Sequence, residues 1–291
     1  MVQADRTKES VMTKLRESVE LEMRLRGFSP RTHESYIHAL VELAKFYWRP
    51  LETLVCSEVQ AFLDELITVR KLAWATVNVY FSAYRFLYEQ VLNRPRKEFS
   101  IPRRGRSGKR PGVLSQAETK RLIDSPKNIK YRALLTMTYG SGLRVSEAVK
   151  ILPRHIDRDR MMLFVDQGKG HKDRYTILSR KALALLEEHW HANGPFTYFF
   201  YGFDKSRPMS VSSAQHIYRQ ALEHTGIRRV GGIHVLRHCF ATHLMEQDVD
   251  IYTIKRWMGH RALVTTGRYM HVTPEHLAKV KSPLDIIWRK M

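Results

Sequence analysis

The amino-acid sequence predicts a mainly α-helical protein of two domains, the second of which contains a small antiparallel sheet. Three observations support this fold class. Apolar residues recur at helical spacing along most of the 291-residue chain. One pair of strand-like runs flanks a polar turn. A basic segment with Pro and Gly, 95–111, has almost nothing to bury, so it is predicted to be an extended linker between domains at 1–94 and 112–291.

The first domain is predicted to be small and all-helical. Residues 12–93 show the pattern of consecutive amphipathic helices. Ser29 followed by Pro30 is typical of a helix start, with Ser as the N-cap and Pro in the first turn. Apolar residues follow at helical spacing up to Tyr47. A second helix is predicted through 57–63 and a third from about Thr76.

The second domain is predicted to be mostly helical around one β-hairpin. Ser115 and Glu118 form a capping-box pattern, so a helix should begin there. Another helix is expected to end at the break Gly140-Ser141-Gly142. Strand-like runs at 161–165 and 175–178 enclose a basic hairpin tip. Further helices are predicted at 180–191, 212–224, 234–246 and 251–258, and after Thr273-Pro274.

Composition favours a cytosolic protein that meets a polyanion. The formal net charge is +20 and the isoelectric point is near 10.1, which favours a nucleic-acid partner. The surplus lies in the linker and the second domain, since residues 1–94 hold 13 basic against 12 acidic side chains. Two cysteines offer no disulfide framework. No apolar run reaches the roughly 18 residues that span a bilayer, and the first residues lack a signal core.

Four short segments combine residue types that carry chemistry. Arg144 follows the Gly-rich break, and Glu147 lies one helical turn further on. Lys169 sits between two glycines at the predicted hairpin tip. His234 and Arg237 are three residues apart, on one face of a helix. The last segment runs from Gly259-His260 to Arg268-Tyr269. Taken singly, each residue is better explained as a surface ion pair, a solvated side chain or an ordinary helix residue.

A metal site is the main competing interpretation of the histidine-rich stretch. His234, His238, Cys239 and His243 lie at helical spacing. However, the HxxxH spacing lacks the glutamate of the HExxH zinc motif, and no third ligand or CxxC pair accompanies it. No metal is therefore predicted, and Cys239 is expected to be a small buried side chain.

The order and spacing of these segments resemble the tyrosine site-specific recombinases, the phage-integrase family. The common pattern is Arg, Lys, HxxR, GH and, after eight further residues, Tyr. The stretches LRHCFATHL, WMGH and TTGRYMHV are similar to the family's catalytic boxes, and GFSPRTHESYIHAL resembles its helical, SAM-like core-binding domain. The resemblance covers nearly the whole chain.

The resemblance implies a DNA strand transferase that works without metal or ATP. Tyr269 would attack a DNA phosphate and form a 3′-phosphotyrosyl intermediate. Arg144 and Arg237 would clamp the non-bridging oxygens, a role that suits planar guanidinium groups.

The remaining catalytic candidates would move protons or support the site. Lys169 would be the general acid for the leaving 5′-oxygen. His234 and His260 would hydrogen-bond the phosphate and assist proton transfer. Glu147 would position Arg144 or His234 from behind.

The implied partner is double-stranded DNA. Phosphate contacts are predicted at a helix start in the first domain, in the linker and beside the hairpin tip, namely Arg31, Thr32, Arg103, Arg104, Lys172 and Arg174. The leading interpretation is a homotetramer on two synapsed sites that exchanges strands through a Holliday junction, during integration or excision of mobile DNA. Accessory DNA-bending proteins are a further partner class.

Several interpretations stay open at this level. The tail HVTP…KSPLD is similar to integron and transposon integrases, but the path from Leu178 to His234 lacks the extra segment of integron integrases. A compact Xer-like or transposon-associated enzyme acting on duplex DNA is therefore favoured over an integron integrase. Two further interpretations are a type IB topoisomerase-like enzyme and a catalytically inactive DNA-binding protein. The segment after Thr273 could dock on a neighbouring subunit or on its own domain.

Overall fold

The computed structural model describes residues 2–94, 100, 112–168, 172–228 and 231–259, with side chains from residue 14 onward except at 167, 168 and 172. The chain divides into two compact units, 1–108 and 109–291. The predicted fold class is confirmed, because helices dominate both units and the second holds a three-stranded antiparallel sheet. The predicted helix after Thr273 lies outside the described residues. Within them, no helix is both long and apolar enough to cross a bilayer.

In its described residues, the first unit is a bundle of four α-helices. The Ser29 Oγ accepts a hydrogen bond from the Thr32 N–H at 3.2 Å, so this predicted helix start is confirmed. Tyr84, in the core, donates to the Ala39 carbonyl at 3.1 Å and thereby satisfies its hydroxyl. The bundle consists of α1 (Val2–Leu25), α2 (Pro30–Tyr47), α3 (Cys56–Thr68) and α4 (Trp74–Phe86), the last continued by a π-helical turn at Leu87–Val91.

The second unit combines most of the described helices with the three-stranded sheet. Its helices are α5 (Gln116–Asp124), α6 (Ile129–Gly140), α7 (Val145–Ala148), α8 (Arg180–Asn193), α9 (Val211–Thr225), α10 (His234–Glu246) and α11 (Ile251–Met258). The sheet order is β1 (Ile156–Asp157), β2 (Met162–Gly168) and β3 (Lys172–Ile177). Leu163 pairs with Thr176 and Val165 with Arg174, so the predicted hairpin forms. The two-residue β1 was not predicted, since it is too short to show a periodic pattern.

Helix α10 anchors the start of the second unit. The His243 Nε2–H donates to the Leu114 carbonyl at 3.0 Å, since that oxygen can only accept. Its Nδ1 then accepts from the Tyr139 hydroxyl at 2.9 Å. The Sγ of Cys239 accepts from the Leu114 N–H at 3.3 Å. Cys239 is fully buried, as predicted, and with His243 it holds backbone in place.

Gly142, after α6, is required by both conformation and packing, which gives a testable prediction. Its φ is +61°, and a Cβ there would lie 2.4 Å from Cδ1 of the buried Phe240. Gly226 ends α9 with a similar φ of +64° but has open space around it. We expect Gly226→Ala to lower the free energy of unfolding by about 1 kcal/mol, the cost of the left-handed conformation alone. Gly142→Ala should lower it by about 3 kcal/mol, because overpacking is added.

Urea unfolding of the two alanine variants measures this difference directly. Equal losses would mean that Phe240 accommodates the added methyl group and that only backbone conformation matters at Gly142.

Candidate active site

The carboxylate of Glu147 lies at the centre of a cluster of three arginines. Its side chain is only 6% exposed. Arg174 binds it with two parallel contacts, Nη1 to Oε1 at 2.9 Å and Nη2 to Oε2 at 2.7 Å. Arg144 donates from Nη1 to Oε1 at 2.7 Å. The Nη1 of Arg237 lies 3.8 Å from Oε2. One buried negative charge therefore organises three positive charges.

The local sequence explains how Arg144 and Glu147 come together. Helix α6 ends at the glycine-rich break, and Arg144 then takes an extended conformation as the N-cap of α7. Glu147 is three residues on, so its Oε2 accepts from the Arg144 backbone N–H at 2.8 Å. A carboxylate is also favoured by the partial positive charge at a helix N-terminus. The same carboxylate thus caps α7 and holds the Arg144 side chain.

Arg237 connects the ends of two other segments to α10. Its side chain is only 1% exposed. The Nη1 donates to the Gly142 carbonyl at 2.6 Å, and the Nη2 donates to the carbonyl of Met258 at the end of α11. One turn earlier on α10, His234 is accessible at the surface, and its ring lies edge-to-face with His238 at 4.8 Å between centroids. The predicted shared helix face of His234 and Arg237 is confirmed.

The structure places the Arg174 side chain inside the protein, not on the exposed surface where a phosphate contact was expected. Its side chain is 8% exposed and bound to Glu147, and its Nε donates to the Trp257 carbonyl at 2.8 Å. The reason is the alternation of side chains along β3. Asp173 and Tyr175 face outward, whereas Arg174 and the buried Thr176 face inward. The strand period was the sequence signal that could have separated Arg174 from its exposed neighbours.

The cluster fixes the charge states of its members. Burial by itself raises the pKa of Glu147, but hydrogen bonds and charge from Arg174 and Arg144 outweigh it and lower that pKa to about 2. Glu147 is therefore ionised at any physiological pH. Partial desolvation of the His234 ring, together with the charges of Arg237 and Arg144, lowers its pKa despite the opposing charge of Glu147. His234 is consequently neutral near pH 7.

The other predicted residues lie in the first unit, at the start of β3 or outside the described part of the chain. Arg31 is exposed and Thr32 half-buried in the first turn of α2, in the first unit. Lys172 begins β3. The remaining predicted residues lie outside the described part of the chain: Arg103, Arg104, Lys169, His260 and Tyr269.

The arrangement is chemically suited to holding an anion beside a neutral imidazole. Arg144 is the most accessible of the three arginines, with 21% of its side chain exposed. Its Nη2 lies 3.4 Å from the carbonyl of Gly259, the residue that precedes His260. Guanidinium groups held by a buried carboxylate keep further N–H donors for a phosphate oxygen. The structure therefore brings together four of the predicted catalytic residues, Arg144, Glu147, His234 and Arg237, and places Arg174 beside them.

Comparison with known proteins assigns both units to one family. The sequence model of the Phage integrase family matches residues 112–276, and that of its N-terminal SAM-like domain matches residues 15–98. A Sinorhizobium fredii protein named as an integrase/recombinase, y4qK, is 32% identical over 286 residues, covering 97% of this chain and 92% of the relative. The tyrosine recombinase XerC of Lactobacillus delbrueckii subsp. bulgaricus is 28% identical over 273 residues, covering 87% and 92%.

Solved structures share the fold at lower sequence identity. The recombinase XerH, bound to a palindromic difH substrate, superposes with a TM-score of 0.70 at 20% identity, covering 93% of this chain and 83% of XerH. The Tn1549 transposon integrase, in complex with transposon right end DNA, gives a TM-score of 0.72 at 14% identity, covering 91% and 97%. With family models over both units and a relative aligned across almost its whole length, this chain belongs to the phage integrase family of tyrosine recombinases.

Proposed function

We propose that this protein is a site-specific recombinase that cleaves and rejoins duplex DNA through a covalent link to Tyr269. The observation that carries the proposal is the pair of arginines, Arg144 and Arg237, held around the buried carboxylate of Glu147. His234 stands one helical turn from Arg237 and is neutral near pH 7. Two arginines beside a neutral histidine are suited to phosphoryl transfer, because they can neutralise the negative charge that develops on the non-bridging oxygens.

The proposed reaction exchanges one phosphodiester bond for another. The Tyr269 hydroxyl gives up its proton to His234 or His260, and its oxygen bonds to phosphorus while the bond from phosphorus to the 5′-oxygen breaks. Lys169 supplies the proton that the leaving 5′-oxygen takes up. Arg144 and Arg237 neutralise charge on the two non-bridging oxygens, while His234 and His260 hydrogen-bond the phosphate and assist proton movement. The tyrosyl phosphodiester keeps the bond energy, so a 5′-hydroxyl can reverse the step without ATP, and the proposal needs no metal.

Duplex DNA is the proposed substrate, as part of the integration or excision of mobile DNA. The charge of +20 favours a polyanion, and the named neighbours XerH and Tn1549 integrase are both described with DNA. Recombination between two duplexes requires cleavage of all four strands, one by each protomer. The active form is therefore proposed to be a tetramer on two synapsed sites, and the DNA is proposed to pass through a Holliday junction. Arg31, Thr32, Arg103, Arg104 and Lys172 are proposed to contact phosphates.

The first prediction concerns the nucleophile. Wild-type protein, incubated with nicked duplex fragments of its native flanking DNA in EDTA and then denatured in SDS, should give a DNA-linked band. Tyr269→Phe should abolish that band, because the attacking oxygen is removed. Tyr252→Phe is the matched control, since Tyr252 is 66% exposed on α11 and should leave the band unchanged.

A band that persists in Tyr269→Phe would place the nucleophile elsewhere. Relaxation of supercoiled plasmid that lacks any recombination site would instead support a topoisomerase-like activity.

The second prediction concerns the phosphate clamp. Arg144→Lys keeps the charge but loses the planar fork, so we expect single-turnover cleavage to fall about 10²-fold or more. DNA affinity and the melting temperature should change little, because only one side chain on the surface of the cluster is altered. Arg180→Lys on α8 is a control for the same substitution at an exposed position. Cleavage by Arg144→Lys within about threefold of wild type would remove Arg144 from the clamp.

A further inference from the structure

We propose that Arg174 is a positioning residue for DNA cleavage, an inference that rests on the proposed function. Arg174 binds Glu147 and the end of α11 from the interior of the protein, so that Arg144 and Arg237 remain available to the phosphate. Neither its sequence position beside the hairpin nor its charge indicated this role. Its guanidinium points into the protein, toward Glu147 and the end of α11.

All three guanidinium nitrogens of Arg174 make contacts inside the protein. Nη1 and Nη2 bind the two oxygens of Glu147 at 2.9 and 2.7 Å, and Nε donates to the Trp257 carbonyl at 2.8 Å. These contacts join β3 to α7 and to the last turn of α11. Because β3 leads directly from the hairpin tip with Lys169, Arg174 ties the base of that hairpin to the rest of the site.

The stem of Arg174 also packs closely against Gly259. A Cβ at Gly259 would lie 2.9 Å from Arg174 Cδ and 3.2 Å from its Nε, and Gly259 has a φ of +62°. Gly259 ends α11 and directly precedes His260. The Trp257 and Gly259 carbonyls accept from Arg174 and Arg144 respectively. The end of α11 at Gly259 therefore lies directly against the Arg174 side chain.

The bidentate contact also decides which arginine neutralises Glu147. A carboxylate beside a phosphate site repels the substrate and competes for its arginines. Since Arg174 occupies both carboxylate oxygens, Arg237 stays 3.8 Å away and Arg144 contributes one side-chain contact. Without Arg174, the carboxylate of Glu147 would lose the contact that fixes its position, and Arg144, which Glu147 holds, would lose its fixed position as well.

If Arg174 positions Glu147, its removal should change the pH at which Glu147 takes up a proton. Among the described residues, the charged and titratable groups facing Glu147 are Arg144, Arg174, Arg237 and His234. Burial raises the pKa of Glu147, and Arg174 provides the largest opposing influence. Removal of Arg174 should raise that pKa, because Arg144 alone would then oppose the effect of burial. Glu147 would then take up a proton in mildly acidic solution and release Arg144.

The experiment compares full-length wild type with Arg174→Met, Arg174→Lys and the double variant Arg174→Met with Glu147→Gln. Single-turnover formation of the covalent DNA band is measured from pH 5 to pH 9, together with DNA affinity and melting temperature. Arg158→Met is the matched control, because Arg158 forms an exposed ion pair with Glu187 at 3.3 Å. It should leave the rate and the pH profile unchanged.

We expect Arg174→Met to cleave roughly 10- to 100-fold more slowly at pH 7.5, with DNA affinity within about threefold of wild type. Relative to wild type it should gain an acid limb, with the rate falling as pH decreases through the raised pKa of Glu147. The double variant should lack that limb, since glutamine does not titrate. Arg174→Lys should weaken the acid limb, because it restores charge, without restoring the full rate, because it cannot form the fork.

Different outcomes would overturn the inference. A loss confined to DNA affinity would make Arg174 a phosphate ligand. A lower melting temperature with an unchanged rate and pH profile would make it purely structural, and if Arg174→Met does not fold, the rate and profile of Arg174→Lys decide. A wild-type band that depends on Tyr269, combined with normal cleavage by the Arg174 variants, would reject this inference alone. Absence of that dependence would reject the proposed function itself.

Discussion

The ion cluster around Glu147 is the constraint on which the second unit of this protein depends. A buried carboxylate is unfavourable unless its charge is matched, and here Arg174 and Arg144 contact it directly while Arg237 stands nearby. Removing one partner from such a buried pair commonly costs about 3–5 kcal/mol. The elements that carry these residues, α7, β3 and α10, are therefore fixed relative to one another by a single side chain.

The same arginines also bind the ends of neighbouring segments. The carbonyls of Gly142, Trp257 and Met258 accept from Arg237 and Arg174, where the backbone has no further helical partner. Carbonyls at a helix C-terminus carry partial negative charge, which stabilises the guanidinium groups. Glycine at 259 lets the backbone approach the Arg174 side chain, and glycine at 142 lets it approach Phe240 next to the carbonyl that Arg237 binds. Structural and chemical requirements therefore coincide in these few residues.

Much of the fold could be predicted because the local signals agree with the packing. The Ser29-Pro30 helix start and the 234–246 and 251–258 helices have the predicted positions, since capping residues and apolar periodicity mark them. Arg144, Glu147, His234 and Arg237 could be grouped from the order of their motifs, although none stands out alone. The family resemblance is likewise confirmed by both domain models.

The roles that could not be predicted depend on where a side chain points in the folded chain, not on its residue type. A basic residue beside a hairpin tip is usually solvated, and only the inward face of β3 distinguishes Arg174 from its neighbours. Tyr139 and Leu114, the partners of His243, are separated from it by 104 and 129 residues, so its role in anchoring backbone has no local signature. The two-residue β1 is too short for any periodic signal. The roles of Lys169, His260 and Tyr269 stay predictions.

The central claim is that Arg144 and Arg237 act on one DNA phosphate while Glu147 holds them from behind. The most direct measurement is a crystal structure of Tyr269→Phe bound to a duplex from its native flanking DNA. Our account predicts that both guanidinium groups lie within about 3 Å of non-bridging oxygens of the same phosphate, with the ring of residue 269 facing that phosphorus. A phosphate that contacts neither arginine, or arginines bound to different phosphates, would contradict it.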